Sequence, residues 1–280
     1  MMKKSSPAKS GGPTQAKAIR RRTATASADQ GQIAAAIAPL QRRWFTNAQL
    51  RPVTAASMRG IRAKAARLGL SPDEIAARGG AAIADVVRAL ADARDASSRL
   101  PIFFLAGSDR DAAYGLEAAL ALANGERRLV VALFGTKARP EHASAAGVWD
   151  RLESAPRVER YRIPNMREAA HFRAGIEEVA VLVDALGGAP TSTAPQVPLL
   201  AAIDLIRRAR SVGVPCVAVG GPIGLDPESG ARRRGAPGAD VSVLFHRPLT
   251  THQSLAAQKL LGEVLVAPIG IPDEADALAV

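Results

Sequence analysis

One cysteine in 280 residues, Cys216, excludes an internal disulfide framework. It sits inside an apolar run, which suits a buried, inert thiol. Histidine is scarce as well: His142, His171, His246 and His252 are the only four. None lies at i,i+4 from another, and no cysteine or acidic cluster joins them, so a zinc site is not expected. His246 follows a strand and could approach a cleft as a base. No apolar run reaches the roughly 18–20 residues that span a bilayer. No secretory apolar segment follows the basic N-terminus, so an intracellular chain with no membrane partner is expected. Neither a Gly-x-Ser-x-Gly elbow nor a Walker loop is present.

Acid is missing from the N-terminus. Of a net charge of +11, residues 1–43 hold nine Lys and Arg against Asp29 alone, which leaves only +3 for residues 44–280. Residues 1–30 show no periodicity and read as disordered. Residues 1–43 are accordingly expected to be a disordered basic extension, and residues 44–280 the folded domain. Within the extension, Gln32–Arg43 could form a short helix with Ile33, Ile37 and Leu40 on one face. Clustered Lys and Arg offer a salt-sensitive grip on nucleic acid or an acidic partner. Trp44 and Phe45 are the only aromatics nearby, so base stacking has little support. The Ser-, Thr-, Ala- and Arg-rich tail would suit a mitochondrial transit peptide in a eukaryote; otherwise a cytoplasmic location is expected.

What is present is a single long core, with 48% hydrophobic residues. Thr54 opens a helix with Met58, Ile61, Ala65 and Leu68 at helical spacing, and Gly69 ends it. Ser71-Pro72-Asp73-Glu74 reads as N-cap, proline at N1 and acidic first turn of a helix reaching about Ala93. Gly79-Gly80 inside it marks close approach by another backbone or a ligand. Strands are expected at Pro101–Ala106, Leu129–Phe134, Tyr161–Ile163, Val179–Val183, Val214–Val219, Val241–Phe245 and Glu263–Ile269. Helices are expected at Leu116–Ala123, Met166–Arg173 and Pro198–Val212, with a loop over Gly107–Gly115. This alternation predicts a three-layer αβα sandwich with a Rossmann-like, mostly parallel sheet, preceded by N-terminal helices.

Ligands in such sheets bind at the carboxyl edge. The first loop there, Gly107-Ser108-Asp109-Arg110-Asp111, then Gly115, precedes a helix N-terminus that suits phosphate. It places two carboxylates where a phosphate would sit, and Arg110 offsets one. It is either an ordinary turn with Asp capping the helix, a weak nucleotide loop, or a cation site using Asp111. Asp184 ends a buried strand and is either a loop-ordering group or a site group. Gly187 and Gly188 beside it permit close backbone approach. Gly220 and Gly221 end the next strand without acid, base or nucleophile. Asp226 with Ser229-Gly230 looks like turn chemistry.

Set in order, these tracts resemble the YjeF N-terminal domain, the fold of NAD(P)H-hydrate epimerase, found also at the C-terminus of enhancer-of-decapping proteins. Val53 to Arg59 is similar to the family's opening helix, and Ile75 to Ala84 stands where it has Leu-Met-Glu-Asn-Ala-Gly. Val183-Asp184-Ala185-Leu186-Gly187-Gly188 resembles Asp-Ala-Leu-Phe-Gly-Thr-Gly. Ala218 to Gly230, including Gly224, parallels Ala-Val-Asp-Ile-Pro-Ser-Gly-Leu-Asp-x-x-x-Gly. Ile269-Gly270-Ile271-Pro272 matches the closing Ile-Gly-Ile-Pro.

The resemblance implies epimerisation at C6 of hydrated NADH or NADPH, a potassium ion near the site, a nucleotide-like ligand and a homodimer. It places Asp184 as the catalytic acid and a metal ligand, with Asp111 a substitute for a potassium-binding Asn. It places Gly107, Ser108, Asp109, Arg110, Asp111, Gly115, Gly187, Gly188, Gly220, Gly221 and Gly224 around the ligand. The departures are as telling. The family's Gly-Pro-Gly-Asn-Asn-Gly-Gly-Asp-Gly becomes Gly107 to Gly115, with Tyr114 in place of the Asp. Gly220 stands for the Asp of Asp-Ile-Pro-Ser-Gly and Ile223 for its Ser. Arg78 replaces the helix Asn, and Leu249 an expected Lys. Losing one general acid or base typically costs about 10²–10⁴-fold in rate. A ligand- or partner-binding module with weak or no epimerase activity is therefore expected, with an active divergent epimerase as the alternative.

Overall fold

Ser71 caps its helix as the sequence suggests: its Oγ accepts the Glu74 N–H at 3.2 Å while Glu74 Oε2 accepts the Ser71 N–H at 2.9 Å. The computed structural model describes residues 28–187 and 197–277. The disorder expected over residues 1–27 and the site residue Gly188 lie outside the described residues. The described chain opens on α1 (Gln30–Arg43), α2 (Phe45–Ala48), α3 (Ala55–Arg67) and α4 (Pro72–Arg94). Strands and helices then alternate: β1 (Ile102–Ala106), α5 (Arg110–Leu122), β2 (Leu129–Phe134), α6 (Ala143–Arg151), β3 (Val158–Ile163), α7 (Met166–Ala170) and β4 (Val181–Ala185). After these come α8 (Val197–Ser211), β5 (Cys216–Val219), β6 (Val241–Phe245), α9 (Leu255–Leu261), β7 (Glu263–Ala267) and α10 (Asp273–Asp276).

The seven strands form one sheet in the order β3-β2-β1-β4-β5-β6-β7, and every pairing is parallel. The expected three-layer αβα architecture is borne out. β1 shows why, since its residues alternate between two cores. Ile102, Phe104 and Ala106 join the core beneath α1, α4, α5 and α6. Phe103 and Leu105 join the core beneath α7 and α8. A strand covered on both faces is mostly apolar, which is how β1 and β5 read throughout and β4 and β6 read but for Asp184 and Ser242.

Three expectations need correction. The helix α1 is docked, with Ile33, Ile37 and Leu40 in the main core, so the folded body starts by Ala28 rather than at Trp44. Burial of that apolar face outweighs the basic surroundings. The loop after β1 is only three residues long, because Asp109 caps α5 and starts it at Arg110. And α6, which the periodicity did not announce, buries Ala145, Val148 and Trp149. Among the described residues no helix is long and apolar enough to cross a membrane.

Helix α3 sends Ala65 into the main core, while most of its apolar face packs separately. Val53, Met58 and Ile61 make a small cluster with Leu249 and Ile271. The Val53 N–H donates to Pro248 O at 3.0 Å and the Thr250 N–H to Val53 O at 2.9 Å. α3 is thereby held across the loops that follow the strands.

Candidate functional site

The chain runs from β1 out to β3 and returns to β4 on the other side of β1, so the topological switch point lies between β1 and β4. Backbone closes the crevice there. The Gly107 N–H donates to Ala185 O at 2.9 Å, and a Cβ on Gly107 would meet the Leu186 carbonyl oxygen at 2.5 Å. Gly115 packs α5 on β4, since its Cβ would lie 2.2 Å from that of Ala185. The Ser108 carbonyl accepts the N–H groups of Glu141 at 3.2 Å and His142 at 2.9 Å, which ties this loop to the start of α6. Gly187, at φ +80°, leaves room for the Asp109 carboxylate, whose Oδ2 would lie 1.8 Å from a Cβ there. Gly107 and Gly187 thus let loops pack and Gly115 lets α5 pack on β4; neither they nor Ser108 line the cavity one strand over.

Asp184 is 1% exposed. Its Oδ1 accepts the Leu186 N–H at 3.2 Å and its Oδ2 the Ile223 N–H at 2.7 Å. Burial pushes its carboxyl up to about 6, against the pull of those two bonds. It stands beneath the floor of the site and orders the loops after β4 and β5. Gly224, at φ +88°, packs on Ala236 and also lies off the cavity.

The open cleft lies one strand over. A cavity of about 130 Å³ sits above the ends of β5 and β6, walled by α3 and the start of α5. Of the residues singled out from sequence it gathers Asp109, Arg110, Asp111, Gly220 and Gly221, together with Leu249, which stands for the family's expected Lys. To these it adds Arg59 and Arg62 from α3, and Arg247 and His252 from the loop after β6. Gly220 (φ +73°) and Gly221 (φ +142°) hold conformations that L side chains avoid, and an added Cβ at Gly220 would lie 3.1 Å from Asp111 Oδ2.

The cavity's charges are mostly paired. Arg110 meets Asp111 at 3.1 Å, Arg59 meets Glu228, and Arg247 Nε bonds Asp276 Oδ1 at 2.6 Å. Arg62 forms no ion pair among the described residues. It leans toward the Tyr114 hydroxyl, and loss of solvent holds its guanidinium below its usual pKa. Asp109 keeps one face to solvent, but its carboxyl turns inward to accept the Asp111 and Ala112 N–H groups at 3.0 and 3.2 Å. Loss of solvent there, and then the Asp111 carboxylate, push it up to about 7. Burial lowers His252 to about 4, so it is neutral near pH 7. His246 lies 2.8 Å from Asp276 and does not line the cavity.

A hard cation takes about six or more oxygen ligands. Both Asp184 oxygens are engaged by backbone, Asp111 faces Arg110, and no cluster of three metal-ligating side chains occurs among the described residues. These side chains do not by themselves complete such a shell. Asp226 accepts the Glu228 and Ser229 N–H groups, the turn role read from its sequence.

Sequence reasoning passed over Arg62 and His252. Arg62 sits one residue from the apolar stripe of α3 and reads as a solvated flank. Only the docking of α3 across the strand ends turns it inward.

The family model described as YjeF-related protein N-terminus matches residues 72–251. A bifunctional NAD(P)H-hydrate repair enzyme Nnr of Pyrobaculum aerophilum is 38% identical over 96 residues, 34% of this chain and 19% of that protein. The enzyme of the same name in Methanothermobacter thermautotrophicus is 30% identical over 181 residues, 64% of this chain and 33% of that one. The chain therefore spans a third or less of these two relatives. An NAD(P)H-hydrate epimerase of Cenarchaeum symbiosum is 29% identical over 178 residues, 62% of this chain and 76% of its own length. In fold, the chain resembles the crystal structure of the yeast protein ynu0, with TM-score 0.60 at 17% identity, covering 78% of this chain and 87% of that one. The family model covers more than half of the chain, and the chain belongs to the family of the YjeF-related protein N-terminus.

Proposed function

We propose that the cavity above β5 and β6 binds an anionic, nucleotide-like small molecule, and that C6 epimerisation of hydrated NADH or NADPH is weak or absent. Arg62 carries the proposal. It is a half-buried cation on the cavity wall, its Nε buried without a hydrogen-bond partner and its guanidinium with no ion pair among the described residues. Such a charge is costly unless an anion meets it. Gly220 and Gly221 support the same reading, since bare backbone lets a ligand approach closely. Weak catalysis is supported by Asp184, which is buried under the floor with both oxygens on backbone N–H groups. A group that moves a proton must reach the reacting atom. The proposal needs no potassium ion.

An active divergent epimerase is the rival, favoured by Asp109, whose carboxyl on the cavity wall is pushed up to about 7. Calorimetric titration with ADP-ribose, beside chromatography of the S and R forms of hydrated NADH, separates the two. Saturable ADP-ribose binding with the S/R imbalance left in place is the expected result. Rapid return to epimer equilibrium, abolished in Asp184→Ala or Asp109→Ala, would overturn it.

A further inference from the structure

A second cavity, of about 240 Å³, opens on the other side of Arg62. It lies between α3, the start of α4, and the first turns of α5 and α6. Ala63, Ala66, Pro72, Ile75, Ala76 and Ala113 make its apolar wall. Ala63 and Ala66 are exposed and form the mouth, whereas Tyr114 is 1% exposed and belongs to the inner end. Arg59, Arg62, Arg110, Tyr114, His142 and Ser144 supply the polar lining. Only Arg59, Arg62 and Arg110 are shared with the first cavity.

Three polar atoms in that lining are buried without a hydrogen-bond partner: Arg62 Nε, Tyr114 Oη and His142 Nδ1. Native proteins leave few such groups, and each asks for a cause. Arg62 and Tyr114 lean together without completing a bond of sound geometry. The two neighbouring arginines are spent, Arg59 on Glu228 and Arg110 on Asp111. Arg62 is thus left as the lining guanidinium that forms no ion pair among the described residues. Ligand sites take this form, with apolar walls and a few placed polar groups.

We infer that this cavity is a second binding site, for a small monocarboxylate with an apolar body. The alanine, proline and isoleucine wall takes the body. The planar guanidinium of Arg62 takes the carboxylate, and the Tyr114 hydroxyl donates beside it. With no other unpaired cation in the lining among the described residues, Arg62 suits a single negative charge. A phosphate dianion would bring a second charge, which could be met only by drawing Arg59 from Glu228 or Arg110 from Asp111. Because Arg62 borders both cavities, an anion in one weakens binding of an anion in the other.

The test is calorimetry on the full chain with hexanoate, hexanamide and acetate as probes. Hexanoate is expected to bind at one site, with hexanamide and acetate each at least about tenfold weaker. Ala66→Phe, a substitution on the exposed rim, is expected to remove hexanoate binding, and Ala63→Phe serves as a second block. The thermal midpoint of each variant reads its fold directly. ADP-ribose titration of the same variants reads the first cavity, so failure there is distinguishable from failure here. Equal binding of hexanamide and hexanoate would overturn the assignment. So would unchanged hexanoate binding in both folded rim variants, or no hexanoate heat at millimolar concentration.

Discussion

Asp184 Oδ2 and the Ile223 N–H, 39 positions apart in sequence, meet at 2.7 Å. Through this bond and the one to Leu186, a single carboxylate joins the loop after β4 to the loop after β5. It thereby holds Gly220 and Gly221 in place as part of the cavity floor.

Asp184 should give stability a measurable pH slope. Burial raises its folded-state pKa from 3.8 to about 6. A raised carboxyl stabilises the fold while protonated, so its contribution is full below the unfolded value and is lost as pH climbs through 6. The expected loss is on the order of 1–3 kcal/mol between about pH 4 and about pH 7. Urea unfolding of the wild type and Asp184→Asn across that range checks it. A difference between the two that does not vary with pH would count against it.

Gly80 and Gly60 should respond oppositely to alanine. A Cβ on Gly80 would lie 2.4 Å from Glu117 Cβ and 2.9 Å from the Ala118 nitrogen. Overpacking of about 1–3 kcal/mol then exceeds the helix-propensity gain of about 1 kcal/mol. At Gly60, inside α3, nothing lies within 4 Å, so Gly60→Ala should stabilise by about 0.5–1 kcal/mol. Thermal unfolding of the two variants decides it.

Arg62→Leu should separate binding from stability. Removing a half-buried cation that has no ion pair is expected to leave the fold as stable or to raise stability by up to about 1 kcal/mol. ADP-ribose affinity should fall about tenfold or more. A folded variant with unaltered affinity would remove Arg62 from the site.

Asp109 should make anion binding weaken with alkali. Its carboxyl, at about 7, lies beside Asp111 and Arg110, and the residue is part of the cavity wall. Raising pH from about 6 to about 8 adds a negative charge to the wall, and ADP-ribose affinity should drop several-fold, about tenfold at most. Asp109→Asn keeps a good helix cap and should flatten that dependence. An unchanged slope in the variant would assign it to another group.

The fold was legible in the sequence where the signal is local. The buried strands β1, β4, β5 and β6 announce themselves as apolar runs because both faces are covered. The Ser71 capping box and Pro72 mark the start of α4 through contacts within three residues. Gly79-Gly80 signalled close approach, and α5 is what approaches: Tyr114 over Gly79, Glu117 and Ala118 over Gly80. The site was legible only in part. Asp109, Arg110, Asp111, Gly220 and Gly221 were found because they end strands or open a helix. Arg62 was passed over because its environment is made by residues remote in the chain.

The sequence by itself determined most of the elements, their alternation and the parallel sheet, though not α6 or α9, since periodicity, capping and turn chemistry act between near neighbours. Only the tertiary structure decided where the cleft opens. Loops distant in sequence meet at the carboxyl edge. There the contact of Gly107 with Leu186 shuts the switch point, the spent oxygens of Asp184 place it under the floor, and docked α3 brings Arg62 to the wall. No periodicity encodes those meetings, because each depends on packing between segments that local spacing does not relate.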